Sequence, residues 1–239
     1  MNYQIIKDES LLRDFIQWLP ELEPHEKYYM CLFARSKYCK TVTHISSDKA
    51  QLKRFVTDKK RMYEKIKQLE VEVGAYRQKD IGIPEEALAL YITPNPRNMF
   101  KASINTMVKL AHAIRDENVM MSPHQEALSE VQKAKSRTCY IDFDIDLDSQ
   151  MQAMEIGVAM TKIKAYVNKE AVTYLKTRGG MHVLIDPTKV SKEYIKSFYQ
   201  GLKSIAGVDQ TGDQMIPVPG CTQGMFIPHF LNLNNGNND

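Results

Sequence analysis

The 239-residue chain is 43% hydrophobic and 26% charged, proportions that support a packed core and exclude wholesale disorder. Thirty-two Lys and Arg against 29 Asp and Glu leave a net charge of +3, too mild to imply a nucleic-acid partner by itself. No apolar run reaches the roughly 18–20 residues of a membrane span, MNYQIIKDES lacks a signal peptide's apolar stretch, and four scattered cysteines make no disulfide framework, so a cytoplasmic protein is expected.

The first ninety residues read mainly as helix. Leu11, Leu12, Phe15, Ile16 and Leu19 recur at helical spacing before Pro20, and a second apolar stretch covers Tyr28 to Phe33. Ser46-Ser47-Asp48 then supplies an N-cap for a long helix, whose apolar positions from Leu52 to Val73 hold a spacing of three or four. Between Lys49 and Lys67 stand eight basic residues and two acidic ones. A solvated helix face accounts for them in the ordinary case. The alternative is a ridge that follows a phosphate backbone, with Lys53, Lys59, Lys60 and Lys67 as its contacts.

Ala87 to Ile92 reads as a short buried strand, and Thr93-Pro94-Asn95-Pro96 breaks it ahead of Arg97. Helices are predicted over 101–115 and 125–133. From Thr138 the texture changes to a strand (138–147), a helix (150–166), two strands (171–175 and 181–185) and a helix (191–205). The expected fold is therefore α+β. A helix-rich lobe over 1–137 packs on an α+β lobe over 138–230, followed by a polar tail, 231–239.

The strand Cys139–Asp148 is the most informative segment. Alternation places Ile141, Phe143, Ile145 and Leu147 on one face and Asp142, Asp144, Asp146 and Asp148 on the other. Like charges about 7 Å apart repel. For Asp146 and Asp148 a strand running out into water explains the pattern. For Asp142 and Asp144, bracketed by Tyr140, Ile141, Phe143 and Ile145, shared Mg²⁺ or Mn²⁺ is the better explanation, as phosphoryl chemistry uses it. An EF-hand is excluded, because Leu147 and Ala153 stand where its Gly and Glu belong.

Tyr174 to Ile185 reads as strand, glycine turn, strand. Gly179-Gly180 permits positive φ and close backbone approach. His182 shares a face with Leu184, beside Lys176 and Arg178. A lone histidine on such a strand is more often a satisfied core residue, yet these cationic and glycine neighbours suit a triphosphate. Downstream, Asp209 or Asp213 supplies a further carboxylate, or merely a turn.

Ile141-Asp142-Phe143-Asp144, Thr177-Arg178-Gly179-Gly180-Met181-His182, and Val208-Asp209 with Pro219-Gly220-Cys221 together resemble the archaeo-eukaryotic primase superfamily, in particular the small primases and primase-polymerases of phages, plasmids and other mobile elements. Order and spacing agree over about 140–224. The segment Tyr91 to Arg97 resembles, more loosely, an N-terminal segment of some primase-polymerases. The resemblance implies a two-lobed core, one lobe like an RNA-recognition motif. It also implies that Asp142, Asp144 and Asp209 hold the metals, with Asp213 as the alternative third carboxylate, and that His182 contacts the triphosphate. Lys176, Arg178, Gly179 and Gly180 complete the nucleotide site. Family members often carry Arg just before the Pro-Gly turn, where Ile216, Pro217 and Val218 stand here.

The expected activity is template-directed nucleotidyl transfer from nucleoside triphosphates on single-stranded DNA. With no G-x-x-x-x-G-K-[ST] loop, unwinding falls to a separate helicase. A non-catalytic nucleic-acid-binding subunit and a metal-dependent glycosyltransferase using Asp142-x-Asp144 are the rival readings. Zinc on Cys31, Cys39 and His44 fits no standard finger spacing.

Overall fold

The computed structural model describes residues 1–39, 50–78, 80–117, 120–147 and 152–231. In chain order its first half contains α1 (Glu9–Trp18), β1 (Glu26–Ala34), β2 (Ala50–Thr57), α2 (Lys59–Lys67), β3 (Arg77–Gln78), β4 (Ile81–Gly82), β5 (Leu88–Ile92), β6 (Arg97–Asn98), α3 (Met99–Arg115) and α4 (Pro123–Lys133). The second half contains β7 (Ile141–Asp146), α5 (Gln152–Ile163), β8 (Val172–Lys176), β9 (Gly180–Ile185), α6 (Phe198–Lys203), β10 (Val208–Gly212), β11 (Ile216–Pro217) and β12 (His229–Phe230). The fold is mixed α+β with antiparallel sheets, and among the described residues no helix is long and apolar enough to cross a membrane.

The helix-rich reading of the first half is corrected. Its centre is a sheet in the order β11-β5-β1-β2, with β6 also paired to β1. The apolar run Tyr28–Phe33 is buried on both faces, one facing α1 and α2, the other facing α3 and α4. The long helix over 48–74 is replaced by a strand and a short helix. Leu52 and Phe55 fit either period, but β1 offers a complete antiparallel partner, pairing Met30 with Phe55 and Tyr29 with Val56. Asp58 then starts α2, its side chain accepting from the Arg61 N–H at 3.1 Å. The expected cap at Ser46–Asp48, and Lys49 with it, lies outside the described residues.

The second sheet runs β10-β7-β9-β8-β12. Phe143, Ile145, Met181, Val183 and Ile185 line its apolar face, which α5 and α6 cover. The helix expected over 191–205 is confined to Phe198–Lys203, and Val208–Gly212, expected as a turn, is a strand. The opposite face divides along its length. Leu175 and Leu184 join the core of the first sheet, while His182, Asp144 and Asp146 front a cavity.

Three polar side chains bind the halves together. Asn95 is fully buried. Its Oδ1 accepts from the backbone N–H groups of Cys139 and Tyr140, both at 2.8 Å. Its Nδ2 donates to Tyr140 O (2.8 Å) and Asp213 Oδ1 (2.9 Å). Arg97, also buried, grips Asp213 through both terminal nitrogens at 2.6 and 3.1 Å. Gln223 accepts from the Arg178 N–H and donates to the hydroxyls of Tyr38 and Tyr91.

Candidate active site: an acidic sheet facing a cationic wall

Along β7 the acidic face is graded. Asp142 is fully buried, Asp144 is about a quarter open, and Asp146 is exposed at the strand's end. Residue alternation and the register Asp144↔His182 put His182 on the same face. The His182 Nδ1 lies 2.9 and 3.0 Å from the two Asp142 oxygens, and Nε2 lies 3.6 Å from Asp144 Oδ1. Burial disfavours the imidazolium, but the charges of Asp142 and Asp144 outweigh it and raise His182 to about 9. Asp144 is likewise raised above the usual carboxylate range. Burial is the main cause, opposed by His182 and reinforced by Asp142, Asp146 and Asp209.

Asp209 reaches this group through a bulge. The β10–β7 register shifts between Val208 and Gln210, so Asp209 is the extra residue and its side chain is turned to the cavity. Asp213, the alternative third carboxylate, is committed elsewhere: Arg97 and Asn95 take up both its oxygens. Asp142 is likewise occupied, by His182. Four carboxylates line the cavity, Asp144, Asp146, Asp209 and Asp213, the last through a side chain that Arg97 and Asn95 hold. Asp146, expected to run out into water, is exposed and also lines the cavity, and Asp148 lies outside the described residues.

The cavity, about 770 Å³, is lined by these carboxylates and by a cluster of cations. Tyr38 is its centre. The guanidinium carbon of Arg178 sits 4.7 Å from the ring centroid, that of Arg35 5.4 Å, and the Lys37 ammonium 5.6 Å. Such contacts offset part of the repulsion among three like charges. Arg35 also donates to the Tyr91 hydroxyl at 3.1 Å, and Arg178 donates to the Gly224 carbonyl. Arg35, Lys37 and Tyr38 were missed in the sequence. Their only signal was a basic cluster directly after the apolar run Tyr28–Ala34.

Other expected contacts move away. Lys176 lies on the helix-covered face of β8 with Tyr174, opposite His182, so strand alternation removes it from the cavity. Gly179 lines the cavity, and neither Gly179 nor Gly180 has positive φ. Gly180 is glycine for a different reason: a Cβ there would stand 2.0 Å from the Ile145 carbonyl oxygen. Lys53, Lys59, Lys60 and Lys67 line none of the cavity. Lys59 instead donates to the carbonyls of Gln17 and Leu19 and pairs with Glu21, pinning α1 to α2. Lys67 pairs with Glu70, while Lys53 and Lys60 are exposed. Cys31 and Cys39 lie in separate cores, and His44 is outside the described residues.

Among the described residues no three His, Cys, Asp or Glu side chains converge as a ready-made metal cage. The donor set still fits a hard cation held partly by substrate. Mg²⁺ is ordinarily bound through one or two carboxylates plus phosphate oxygens and water, and the mutual repulsion around Asp144 is what such a cation relieves. Comparison with known proteins gives no relative: no family model, no curated protein and no solved structure matches the chain.

Proposed function

We propose that the chain is a metal-dependent nucleotidyltransferase, a primase or primase-polymerase core that extends a 3′-hydroxyl on single-stranded DNA. One observation carries this reading: Asp144, Asp146 and Asp209 line a cavity of nucleotide size together with Arg35, Lys37 and Arg178. The motif order Asp142-x-Asp144, Gly180-x-His182, Asp209 supports the primase class.

In this reading Arg35, Lys37 and Arg178 bind the triphosphate and neutralise its charge. His182, held by Asp142, donates from Nε2 to a phosphate oxygen and thereby orients the chain of phosphates. Asp144, with Asp146 and Asp209, holds Mg²⁺ or Mn²⁺, which when bound lowers the pKa of the attacking hydroxyl and stabilises charge on the leaving pyrophosphate. Asp142 acts through His182 as a positioning residue.

Incubation with primed and unprimed single-stranded DNA, all eight nucleotides and Mg²⁺ or Mn²⁺, with products sized on a gel, tests the reading. Nucleotide- and template-dependent extension that Asp144→Asn abolishes is the expected result. Absence of extension with tight single-strand binding makes the chain a non-catalytic subunit, and hydrolysis of nucleotide-sugars makes it a glycosyltransferase.

A further inference from the structure

The hydrogen bonds around Gln223 leave one proton over. Gln223 is buried, and its Oε1 accepts from the backbone N–H of Arg178 at 2.9 Å. A backbone N–H can only donate, so this bond fixes which end of the amide is the oxygen. Nε2 therefore faces the two phenols, and it donates to the hydroxyl oxygens of Tyr38 at 3.1 Å and Tyr91 at 3.2 Å. The Tyr91 oxygen also accepts from a terminal nitrogen of Arg35 at 3.1 Å, which fills both its lone pairs. Its own proton is left for the Tyr38 oxygen, 3.4 Å away. Tyr38 cannot donate back, and among the described residues its oxygen has no further hydrogen-bond neighbour. The Tyr38 proton thus lacks an acceptor beside a cavity that both phenols line. Burial pushes this hydroxyl above its ordinary pKa, so the proton stays in place at neutral pH.

The surroundings say what the proton meets. Arg178, Arg35 and Lys37 stand round the Tyr38 ring, so an atom that reaches the hydroxyl sits among cations. Neutral acceptors on a base or sugar gain nothing from those charges, whereas a phosphate oxygen gains from every one. The turn that delivers Gln223 is pressed against the same group. Gly224 and Met225 both take positive φ, 61° and 70°, and a Cβ on Gly224 would collide with the Arg178 guanidinium and the Tyr38 ring. Left-handed backbone is uncommon for a residue such as Met.

We infer that the Tyr38 hydroxyl binds the nucleotide by donating to a phosphate oxygen, and that Gln223 is the positioning residue that aims it. The inference rests on the proposed function for the presence of a triphosphate in the cavity. It adds a neutral donor to the cations and gives it a separate task. An ammonium such as that of Lys37 attracts phosphate as a point charge, while a phenol held at its oxygen by an amide fixes one phosphate oxygen in one direction.

The test is calorimetric binding of inorganic triphosphate and of a deoxynucleoside triphosphate to the full chain in the presence of Mg²⁺. Tyr38→Phe keeps the ring against its cations and removes the hydroxyl alone. It should weaken both ligands by about 10- to 100-fold, the value of one hydrogen bond to a charged group. Gln223→Met should weaken both ligands too, but should add little in the Tyr38→Phe background, because the two side chains act through one bond. Circular dichroism should report all variants folded. Unchanged binding by Tyr38→Phe overturns the inference and leaves the triphosphate reading standing. A loss confined to the deoxynucleoside triphosphate also overturns it, since the proton then meets the sugar or the base. Losses that add in the double variant remove Gln223 from the positioning role. A wild-type chain that binds neither ligand overturns the inference together with the reading beneath it.

Discussion

Replacing Asp142 by Asn removes the charge that holds His182 as a buried imidazolium. In the folded chain that group is raised from 6.5 to about 9: burial works against the cation, and Asp142 and then Asp144 overcome it. At about 1.4 kcal/mol per pKa unit, the pairing contributes on the order of 2–3 kcal/mol at neutral pH. Its sign follows from a folded value above the unfolded one. The contribution is complete below about pH 6.5 and is lost as pH rises through about 9. Thermal melts of the wild type and Asp142→Asn should therefore differ by about 4–10 °C near pH 6, with most of the gap closed by about pH 10. Ring-carbon NMR shifts should show the His182 midpoint falling by about two units in the variant. A gap that stays constant across this range, or a His182 midpoint unmoved by the substitution, refutes the pairing.

Asp144→Asn should behave in the opposite way. Its carboxylate is raised by burial and by neighbouring charges, so losing it should hold or increase the melting temperature at neutral pH, while extension falls about 100-fold or more. Gly180→Ala places a methyl group against the Ile145 carbonyl and should cost about 3 kcal/mol or more in urea unfolding, whatever its effect on nucleotide. Arg35→Gln or Lys37→Gln should raise the KM for nucleotide by one to about two orders of magnitude, the value of a hydrogen bond to a charged group, and an unchanged KM would remove the cationic wall from the site. Lys59→Met should destabilise the chain without changing the salt slope of single-strand binding. Lys53→Gln with Lys60→Gln should flatten that slope by up to ~1.4 if these exposed lysines meet phosphates, and an unchanged slope returns them to a solvated surface.

The centre of the second half was readable because its signals are local, whereas the strand Val208–Gly212 and the short extent of α6 (Phe198–Lys203) were not. A period-two strand such as Ile141–Asp146 and a glycine turn such as Thr177–Gly180 declare themselves within a dozen residues. The sheet of the first half was not readable, because Leu52–Thr57 becomes a strand only opposite Tyr28–Leu32, over twenty residues away in sequence. The site divides in the same way. Asp144, His182, Asp209 and Arg178 were visible as motifs. That Asp142 is bound to His182, that Asp213 is bound to Arg97, and that Lys176 faces the wrong way are facts of pairing and register. Arg35, Lys37 and Tyr38 reach the cavity only through tertiary folding.

The bonds made by Asn95, Arg97 and Gln223 have a consequence for how the cavity selects what enters it. Swinging the two sheets apart would strip Asn95 of four hydrogen bonds and expose the Arg97–Asp213 pair, a cost of several kcal/mol at about 1 kcal/mol per bond. The slot therefore has a fixed gauge. Under the proposed function, the two halves themselves then present a preformed slot to the nucleotide and do not hinge shut upon it. Scattering profiles recorded with and without nucleotide should superimpose.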